Sequence, residues 1–405
     1  MSSLRYADFA GDAFVRDPGR AVEEMRRQGA VVPGKFPIVG KTWLTTTHEA
    51  AGALLKNADD FPIRLGGQVT GLQWWMPGIF RALATNMLTM DEPDHKRLRT
   101  IVDDAFARRA VIEMEPEIRA LSQSIADGLF ASGNGKPVDL VQAYCRQVPL
   151  AVICELLGMA DEDRTEFSRR ADNMTNIEGL GGLFGLMPSL YAIRRMVRRN
   201  IAAARREKDF PGLIGELVAA QAAGAEISDE ELVAMVFLLL AAGQETTTHL
   251  LSGAFYLLLS QPERRDWLME DESRMALAVE EFLRFVSPVQ FSKPRTVARD
   301  MEFFGAKLKR GDKIMAMLVG ANFDSETSAC PHDFDMTRHP NRHLSFGTGI
   351  HFCLGHQLAR LEAIVAIPAL LKRWPQMKLA VPAGELEWRK RPGLRAVKRL
   401  PVVAN

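Results

Sequence analysis

A glycine-rich loop that carries one cysteine and leads into a helical pattern constrains this chain more than any other segment. The loop begins at His343, and Gly347 and Gly349 permit a tight turn with positive φ angles. From Leu354 onward, apolar residues recur at helical spacing. Cys353 is therefore predicted to lie where a loop enters a helix, where free backbone N–H groups and the helix dipole favour a thiolate.

Four interpretations of Cys353 follow from these residues. It is an ordinary buried thiol, a zinc ligand with His351 and His356, a nucleophile paired with His351, or the axial ligand of a haem. Zinc is disfavoured because no CxxC pair or fourth ligand is nearby. The Phe-x-x-Gly-x-x-x-Cys-x-Gly spacing from Phe346 to Gly355 favours haem. Gly355 would let the backbone approach a flat ligand closely.

Helical periodicity dominates the rest of the chain, and strand-like runs are confined to segments near 38–46 and 301–318. Helices are predicted near 18–29, 93–109, 112–132, 138–158, 160–175, 188–207, 211–223, 228–260, 272–286 and 355–373. We find no internal repeat, low-complexity linker, flavin-binding segment or iron–sulfur cysteine set. The sequence predicts a mainly α fold with small β-sheets, as one domain over 1–405, with a separate electron donor.

The charge and cysteine content exclude several classes of function. A formal net charge of +1 gives no general attraction to nucleic acid or to an anionic membrane. The longest apolar stretch, Leu232 to Gly243, is too short to span a bilayer, and the first residues lack the apolar core of a signal peptide. Four cysteines without a CxxC pair are typical of a reducing cytoplasm.

An acid and an alcohol interrupt the apolar helix predicted from 228. Ser228 and Glu231 have the spacing of a capping box at its start. Further along, the Thr246 hydroxyl can bond the Ala242 carbonyl and locally open the helix. Glu245 and Thr246 are then candidates for proton transfer, since buried polar groups are unfavourable unless they are paired or used. The alternative is a helix that passes from core to solvent, with Glu245 on the wet side.

With these two motifs in place, the chain resembles the cytochrome P450 family in its soluble bacterial form, from about residue 10 to its end. The resemblance implies a triangular-prism helical architecture and haem b, with Cys353 as the axial iron ligand and Phe346 over the sulfur. It also implies that Glu245 and Thr246 relay protons for dioxygen activation. Further haem contacts are expected at Ala242, Gly349 and Gly355.

Basic residues that would hold the haem propionates follow from the same resemblance. His95 and Arg99 lie four apart on a predicted helix and match the family's His-x-x-x-Arg stretch. Arg295 and His351 are assigned the same role, since arginine binds carboxylates in a bidentate manner. Without the resemblance, these cations would be interpreted as a solvated basic face.

Three residues are assigned a structural role. Glu281 and Arg284 match the family's Glu-x-x-Arg motif, and Arg338 completes it from the segment before the cysteine loop. Phe323 and Ser325 depart from the family pattern of an arginine and a proline at these positions, which puts the local packing there in doubt.

Substrate contacts are expected from scattered segments, including the loop 74–80 and the stretch 180–187. Most candidates are apolar, so a small apolar or aromatic substrate is expected; core packing is the alternative for each one. The candidates are Trp74, Trp75, Leu180, Leu238, Ala241, Phe291 and Leu394.

The expected function is a haem-thiolate monooxygenase that inserts one oxygen atom from O2 into an organic substrate. Electrons would come from a ferredoxin and an NAD(P)H-dependent ferredoxin reductase. The ferredoxin would dock on a locally basic face formed by Lys96, Arg97, Arg342, His356 and Arg360, although Arg97 could pair with Asp94. Alternatives are a peroxide-driven enzyme, disfavoured by Glu245 and Thr246, and a non-catalytic haem sensor.

Overall fold

The structure of the chain is a computed structural model. It describes residues 8–36, 39–71, 76–103, 108–131, 135–175, 185–207 and 209–404. Among these residues, no helix is long and apolar enough to cross a membrane.

Helices account for most of the described chain. In the N-terminal part they are α1 (Asp12–Arg16), α2 (Pro18–Arg26), α3 (His48–Lys56), α4 (Gly78–Leu83), α5 (Asp94–Asp103), α6 (Arg108–Glu113), α7 (Glu115–Gly128), α8 (Gln147–Leu157) and α9 (Asp161–Thr175). In the C-terminal part they are α10 (Met187–Ala204), α11 (Gly212–Ala222), α12 (Asp229–Ser260), α13 (Pro262–Glu270), α14 (Met275–Val286), α15 (Leu318–Asn322) and α16 (His356–Arg373).

The strands form small sheets at the edge of the helical body. They are β1 (Val31–Phe36), β2 (Gly40–Thr45), β3 (Arg64–Leu65), β4 (Gln68–Val69), β5 (Val138–Asp139), β6 (Arg295–Thr296), β7 (Met301–Phe303), β8 (Ala306–Leu308), β9 (Lys313–Ala316), β10 (Lys378–Leu379) and β11 (Pro401–Val403). The largest sheet has the order β1-β2-β9-β6, with β2 and β9 parallel and its other pairs antiparallel. The fourth strand, β6, carries Arg295 into the site described below.

The long helix α12 organises the core. Its N-terminus is fixed by the predicted capping box, in which the Ser228 hydroxyl accepts from the Glu231 N–H and the Glu231 carboxylate accepts from the Ser228 N–H. From there α12 runs without interruption to Ser260, mostly buried, and packs against α8, α10, α14 and α16. In the turn before Thr246, where a local opening is expected, Ile153 of α8 lies close against Gly243.

Two predicted helices have different boundaries in the structure. The helix expected over 93–109 ends at Asp103 in α5, and a separate α6 begins at Arg108. The helix expected over 138–158 starts instead as strand β5, because residues 138–139 pair with β11 and the Asp139 carboxylate accepts from the Leu400 N–H. A π-helical turn at Val141–Cys145 then precedes α8. Pairing with a distant strand thus overrides the local helical pattern.

Candidate active site

Cys353 lies at the predicted junction between a tight loop and the start of α16. Gly347 and Gly349 have φ angles of 69° and 76°, as the loop pattern requires. A Cβ on Gly349 would lie 2.5 Å from the Leu55 carbonyl oxygen, so only glycine fits there without a shift. The Cys353 N–H donates to the Phe346 carbonyl at 3.0 Å and closes the turn.

Several groups around the Cys353 sulfur determine whether it is a thiol or a thiolate. Burial raises the pKa of the thiol, while a hydrogen bond from the Gly355 N–H and the charges of Arg99 and Arg360 act in the opposite direction. The last three interactions stabilise a thiolate, and a bound cation would add to them. Burial prevails in the protein alone, so the helix terminus by itself does not make this cysteine acidic.

The four basic residues predicted to bind carboxylates converge on one place. The rings of His95 and His351 are 4.5 Å apart. Burial, and then the charges of His95, Arg295 and Arg99, lower the pKa of His351 to about 3. The buried Nε2 of His351 has no hydrogen-bond partner among the described residues. Mutually repelling cations beside an unpaired imidazole nitrogen are suited to an anionic group.

Backbone carbonyls hold the two arginines of this group in position. Arg295 is buried and donates to the Phe61 carbonyl at 3.1 Å. Arg99 donates to the Phe352 carbonyl at 2.9 Å, and this bond ties α5 to the cysteine loop. Arg99 also pairs with Asp103 of the same helix at 2.7 Å. These contacts orient the guanidinium groups while leaving donors of each free for a further partner.

A stripe of partly accessible residues runs along the middle of α12. Leu238, Ala241, Ala242, Glu245 and Thr246 recur at spacings of three and four, whereas most other residues of the helix are buried. Because these residues share one face and stay partly accessible, this face of α12 borders space that the protein does not fill. Its apolar end and its acid–alcohol end therefore face the same space.

The acid and the alcohol on this stripe have defined partners. The Thr246 hydroxyl donates to the Ala242 carbonyl at 2.8 Å, as the sequence predicted. The Glu245 Oε1 accepts from Nη1 of Arg391 at 2.5 Å. Glu245 is therefore held by an ion pair. The alternative of a helix that passes from core to solvent at this point is wrong, because α12 stays mostly buried from Thr247 to Leu259. Arg391 was not found from the sequence, because 146 residues separate it from Glu245.

The predicted substrate residues fall into three groups. Leu238 and Ala241 lie on the α12 stripe, and Leu394 is partly accessible beside Val289, with which it forms an antiparallel bridge. Phe291 does not belong with them, since it is 5% exposed. Trp74, Trp75 and Leu180 lie outside the described residues.

Phe291 is instead part of an aromatic core. Its ring centroid lies 5.1 Å from that of Phe9, 6.2 Å from that of Phe14 and 4.7 Å from that of Phe36. Contacts with three rings from the N-terminal part of the chain leave it almost no surface for a ligand, so the core alternative holds here.

A small apolar cluster adjoins the N-terminal end of the stripe, next to Leu238. Ile79 and Leu83 of α4 pack against Leu186 and Leu190, and Phe237 of α12 packs against this cluster. Ile79 and Leu186 come from the two segments, 74–80 and 180–187, that the sequence singled out for substrate contact. The described parts of both segments therefore meet beside the stripe.

The Glu281–Arg284 motif forms a buried ion pair. Two hydrogen bonds of 2.8 and 2.7 Å join the side chains, which are 0% and 1% exposed. Arg338 donates to Glu281 at 3.2 Å, and Arg284 donates to the carbonyls of Pro331 and Asp333. The pair thus anchors the segment before the cysteine loop to α14.

Of the two departures from the family pattern, Phe323 is packed in the core and Ser325 is exposed. Phe323 is buried, and the Arg284 guanidinium lies 5.3 Å from its ring centroid. The next residue, Asp324, accepts from the His48 N–H at 2.8 Å and joins the turn after α15 to the start of α3. An aromatic contact therefore supports this turn where family members have a charge.

Two residues of the predicted basic face are paired. Arg97 binds Asp94 at 3.1 Å and Glu231 at 2.6 Å, and Arg360 binds Glu280 at 2.6 Å. Their charge is therefore largely neutralised. Lys96 and Arg342 are exposed, and no carboxylate pairs with either among the described residues.

Comparison with known proteins identifies the family. Residues 186–377 match the family model Cytochrome P450. A vitamin D(3) 25-hydroxylase from Pseudonocardia autotrophica is 40% identical over 317 residues, 78% of this chain and 77% of that protein. A cytochrome P450 from Bacillus subtilis is 33% identical and covers 99% of this chain and 98% of its own length.

This chain belongs to the cytochrome P450 family. A myxobacterial P450 solved in complex with myristic acid superposes with a TM-score of 0.87 at 32% identity, covering 99% of this chain and 100% of that one. The predicted mainly α fold with small sheets is thus confirmed, and the protein is an oxidoreductase that incorporates oxygen. P450 enzymes bind haem, and the half-buried Cys353 thiol, the unpaired His351 nitrogen and the converging cations fit that group.

Proposed function

We propose that this P450 is a cytoplasmic bacterial monooxygenase that hydroxylates a small, apolar or aromatic organic molecule. Residues 1–405 would act as a single domain and take electrons from a ferredoxin and its NAD(P)H-dependent reductase. The observation that carries the proposal is Cys353 at the head of α16, with the Gly355 N–H directed at its sulfur. Thiolate-bound haem supplies the iron at which dioxygen is reduced and split.

Cys353 is proposed to hold the iron of haem b through its thiolate, with Phe346 beside it. The Arg360 guanidinium lies 4.5 Å from the Phe346 ring centroid and holds the ring in place. His95, Arg99, Arg295 and His351 are proposed to bind the propionates. These residues already face one another, so the anionic groups would relieve their repulsion.

Two further contacts complete the proposed haem site. Ala242 offers a small side chain on the α12 stripe, and Gly349 and Gly355 keep the cysteine loop thin. Both features would leave room for a flat group between the α12 stripe and the cysteine loop. Glu281, Arg284 and Arg338 are proposed to stabilise the fold without touching haem or substrate. Their charged groups bind one another, with Glu281 accepting from both arginines.

Glu245 and Thr246 are proposed to move protons into the cavity. Thr246 holds its hydroxyl at the stripe through its bond to the Ala242 carbonyl, so the oxygen can still accept from water. Glu245 is the acid one residue away, and its pairing with Arg391 holds the carboxylate at this wall. An acid that can exchange its partner for water is suited to carry protons from outside.

An apolar substrate fits the remaining wall of the cavity. Leu238, Ala241 and Leu394 offer apolar surface near the acid–alcohol pair, and the cluster around Phe237 extends that surface. The names of similar proteins support this class of molecule, since one hydroxylates vitamin D(3) and another was solved with myristic acid.

Ferredoxin is proposed to dock beside the cysteine loop on Lys96 and Arg342, whose charges are unpaired in the described part of the chain. Phe352, immediately before Cys353, is 37% exposed and adds an aromatic contact. Arg99 joins α5, which carries Lys96, to the Phe352 carbonyl, so these features belong to one surface. Arg97 and Arg360 are not proposed as docking residues, because each is already paired.

A labelled-oxygen experiment tests the proposed function. Small molecules that shift the Soret band of the ferric protein are incubated with a surrogate ferredoxin, its reductase, NADH and ¹⁸O₂. The proposal predicts a product that gains one labelled oxygen atom. Turnover with peroxide alone, but none with NADH and the redox proteins, would instead identify a peroxide-driven enzyme.

A further inference from the structure

Glu280 of α14 joins two segments that surround the Cys353 sulfur. Its carboxylate binds Arg360 of α16 through two hydrogen bonds, from Nε at 2.6 Å and from Nη2 at 2.9 Å. Nε2 of His343, at the start of the cysteine loop, lies 3.1 Å from the same carboxylate, and the His343 side chain is 4% exposed. One carboxylate therefore fixes a cation and an imidazole that come from different parts of the chain.

The hydrogen bonds of His343 determine its charge. Nδ1 of His343 accepts from the Ser345 N–H at 3.3 Å, so this nitrogen carries no proton. The proton of the ring is then on Nε2, which donates to Glu280. His343 is thus a neutral donor. The full charges in this group of three side chains are the Arg360 cation and the Glu280 anion, and they offset each other.

Phe346 lies in the middle of the side chains that Glu280 binds. The Arg360 guanidinium is 4.5 Å from the Phe346 ring centroid, and the ring centroids of His343 and His356 are each 6.0 Å from it. His356 is held by Arg360 in turn, because its Nδ1 accepts from Nη1 of that guanidinium at 2.9 Å. Since Glu280 binds two of these three neighbours directly, the orientation of the Phe346 ring depends on it.

The same ion pair acts on the Cys353 sulfur through its charges. Arg360 is one of the cations that favour the thiolate of Cys353, whereas the Glu280 carboxylate offsets the charge of Arg360. The Cys353 N–H donates to the Phe346 carbonyl at 3.0 Å, so the ring and the sulfur belong to one turn. Reduction adds an electron to a metal centre, and a nearby negative charge therefore opposes it.

We propose that Glu280 is a positioning residue that lowers the reduction potential of iron bound to Cys353. It does so by holding Arg360 and His343 around Phe346 and by offsetting the Arg360 charge. This inference rests on the proposed function, in which the Cys353 thiolate holds the iron. It assigns part of the control of the potential to a carboxylate on a different helix. Glu280 thus limits which electron donors can reduce the protein.

The reduction potential of the ferric holoenzyme, measured by spectroelectrochemical titration, tests the proposal. Glu280→Gln keeps the shape of the side chain and removes its charge. The potential should rise by the equivalent of about a tenfold change in the reduction equilibrium, about 59 mV. Glu280→Asp shortens the side chain but keeps its charge, so most of the wild-type potential should be retained. A merely structural role predicts the reverse order, because glutamine is closer to glutamate in shape.

Two further variants complete the set. Asp163→Asn is the matched control, since the enclosed Asp163 binds Arg199 and Asn200. These residues lie on α9 and α10, which carry none of the groups around the sulfur, so the potential should equal that of the wild type. Arg360→Met removes the cation and leaves Glu280 without its partner, so the potential should fall. This variant decides the test if Glu280→Gln does not fold with haem, and an unchanged or higher potential would then contradict the proposal.

Three results with the Glu280 variants and the control would overturn the proposal. They are an unchanged potential in Glu280→Gln, an equal rise in Asp163→Asn, and a rise in Glu280→Asp as large as that in Glu280→Gln. The spectrum of the reduced protein with carbon monoxide is recorded on the same samples. A normal thiolate band in the wild type together with any of these results contradicts only the role of Glu280. A wild type without that band contradicts the proposed function itself.

Discussion

Nη1 of Arg391 lies 2.5 Å from Oε1 of Glu245 and joins the C-terminal segment to the middle of α12. Glu245 is next to Thr246, whose hydroxyl is bound to the Ala242 carbonyl. The acid proposed to carry protons is therefore held in place until another group competes for the guanidinium. This arrangement would separate the proposed roles of the two residues: Thr246 would shape the end of the proton route, and Glu245 would supply its entrance.

Replacing Thr246 tests the end of that route. Thr246→Ala removes the hydroxyl but keeps the helix, so substrate should still shift the ferric Soret band. Product formed per NADH should fall about tenfold or more, with the reducing equivalents released as hydrogen peroxide. Thr246→Ser should restore much of the coupling. The measurement is the ratio of product and peroxide to NADH used; an unchanged ratio in the alanine variant would refute the role.

The buried Glu281–Arg284 pair should dominate the stability of the segment before the cysteine loop. Glu281→Ala leaves the Arg284 charge without its partner in the core, which should destabilise the protein by about 3–5 kcal/mol. The control is Lys309→Ala, because Lys309 and Asp300 form an exposed pair at 2.8 Å. Urea unfolding should show a large shift of midpoint for the first variant and none for the second. Equal midpoints would contradict a structural role.

Glu280 should make stability depend on acid pH. Burial opposes its charge, but hydrogen bonds from Arg360 and His343 prevail and lower the pKa of Glu280 to about 2. A carboxyl with a depressed pKa in the folded state stabilises the protein above its unfolded pKa of about 4.3. That contribution is lost as the pH falls towards 2.

A pH series of unfolding measurements between 5 and 2 tests this expectation. The wild type should lose stability more steeply over this window than Glu280→Gln, which lacks the titrating group. Parallel slopes for the two proteins would show that the hydrogen bonds do not depress the pKa of Glu280.

How much the sequence predicts depends on how far apart the interacting residues are. The turn at Gly347 and Gly349, the capping box at Ser228 and the pair Glu281–Arg284 depend on neighbours within about one helical turn, and the structure contains all of them. Local spacing determines such contacts.

Contacts between distant segments could not be predicted. Arg97 is 134 residues from Glu231, and this bridge removed it from the expected docking face. Residues 138–139 form a strand because β11 lies beside them. Phe291 is enclosed by rings from the start of the chain. In each case tertiary packing decides, and no local pattern carries that information.

The revised docking face changes which variant tests electron delivery. Arg97→Glu would disturb the bridge to Glu231 as well as the surface, so its effect is ambiguous. Lys96→Glu alters an exposed charge on the same helix and should lower the rate of first-electron transfer from a ferredoxin, most strongly at low salt. Lys390→Glu, distant from the cysteine loop in sequence, provides a comparison. A rate indifferent to both salt and Lys96→Glu would exclude this face.

The most direct test of the account is the spectrum of the reduced protein with carbon monoxide, recorded for two cysteine variants. Cys353→Ser should abolish the red-shifted Soret band that marks thiolate ligation. Cys330→Ser should retain it in full, since Cys330 is exposed and lies outside the site. A red-shifted band that survives in Cys353→Ser would contradict thiolate ligation by Cys353.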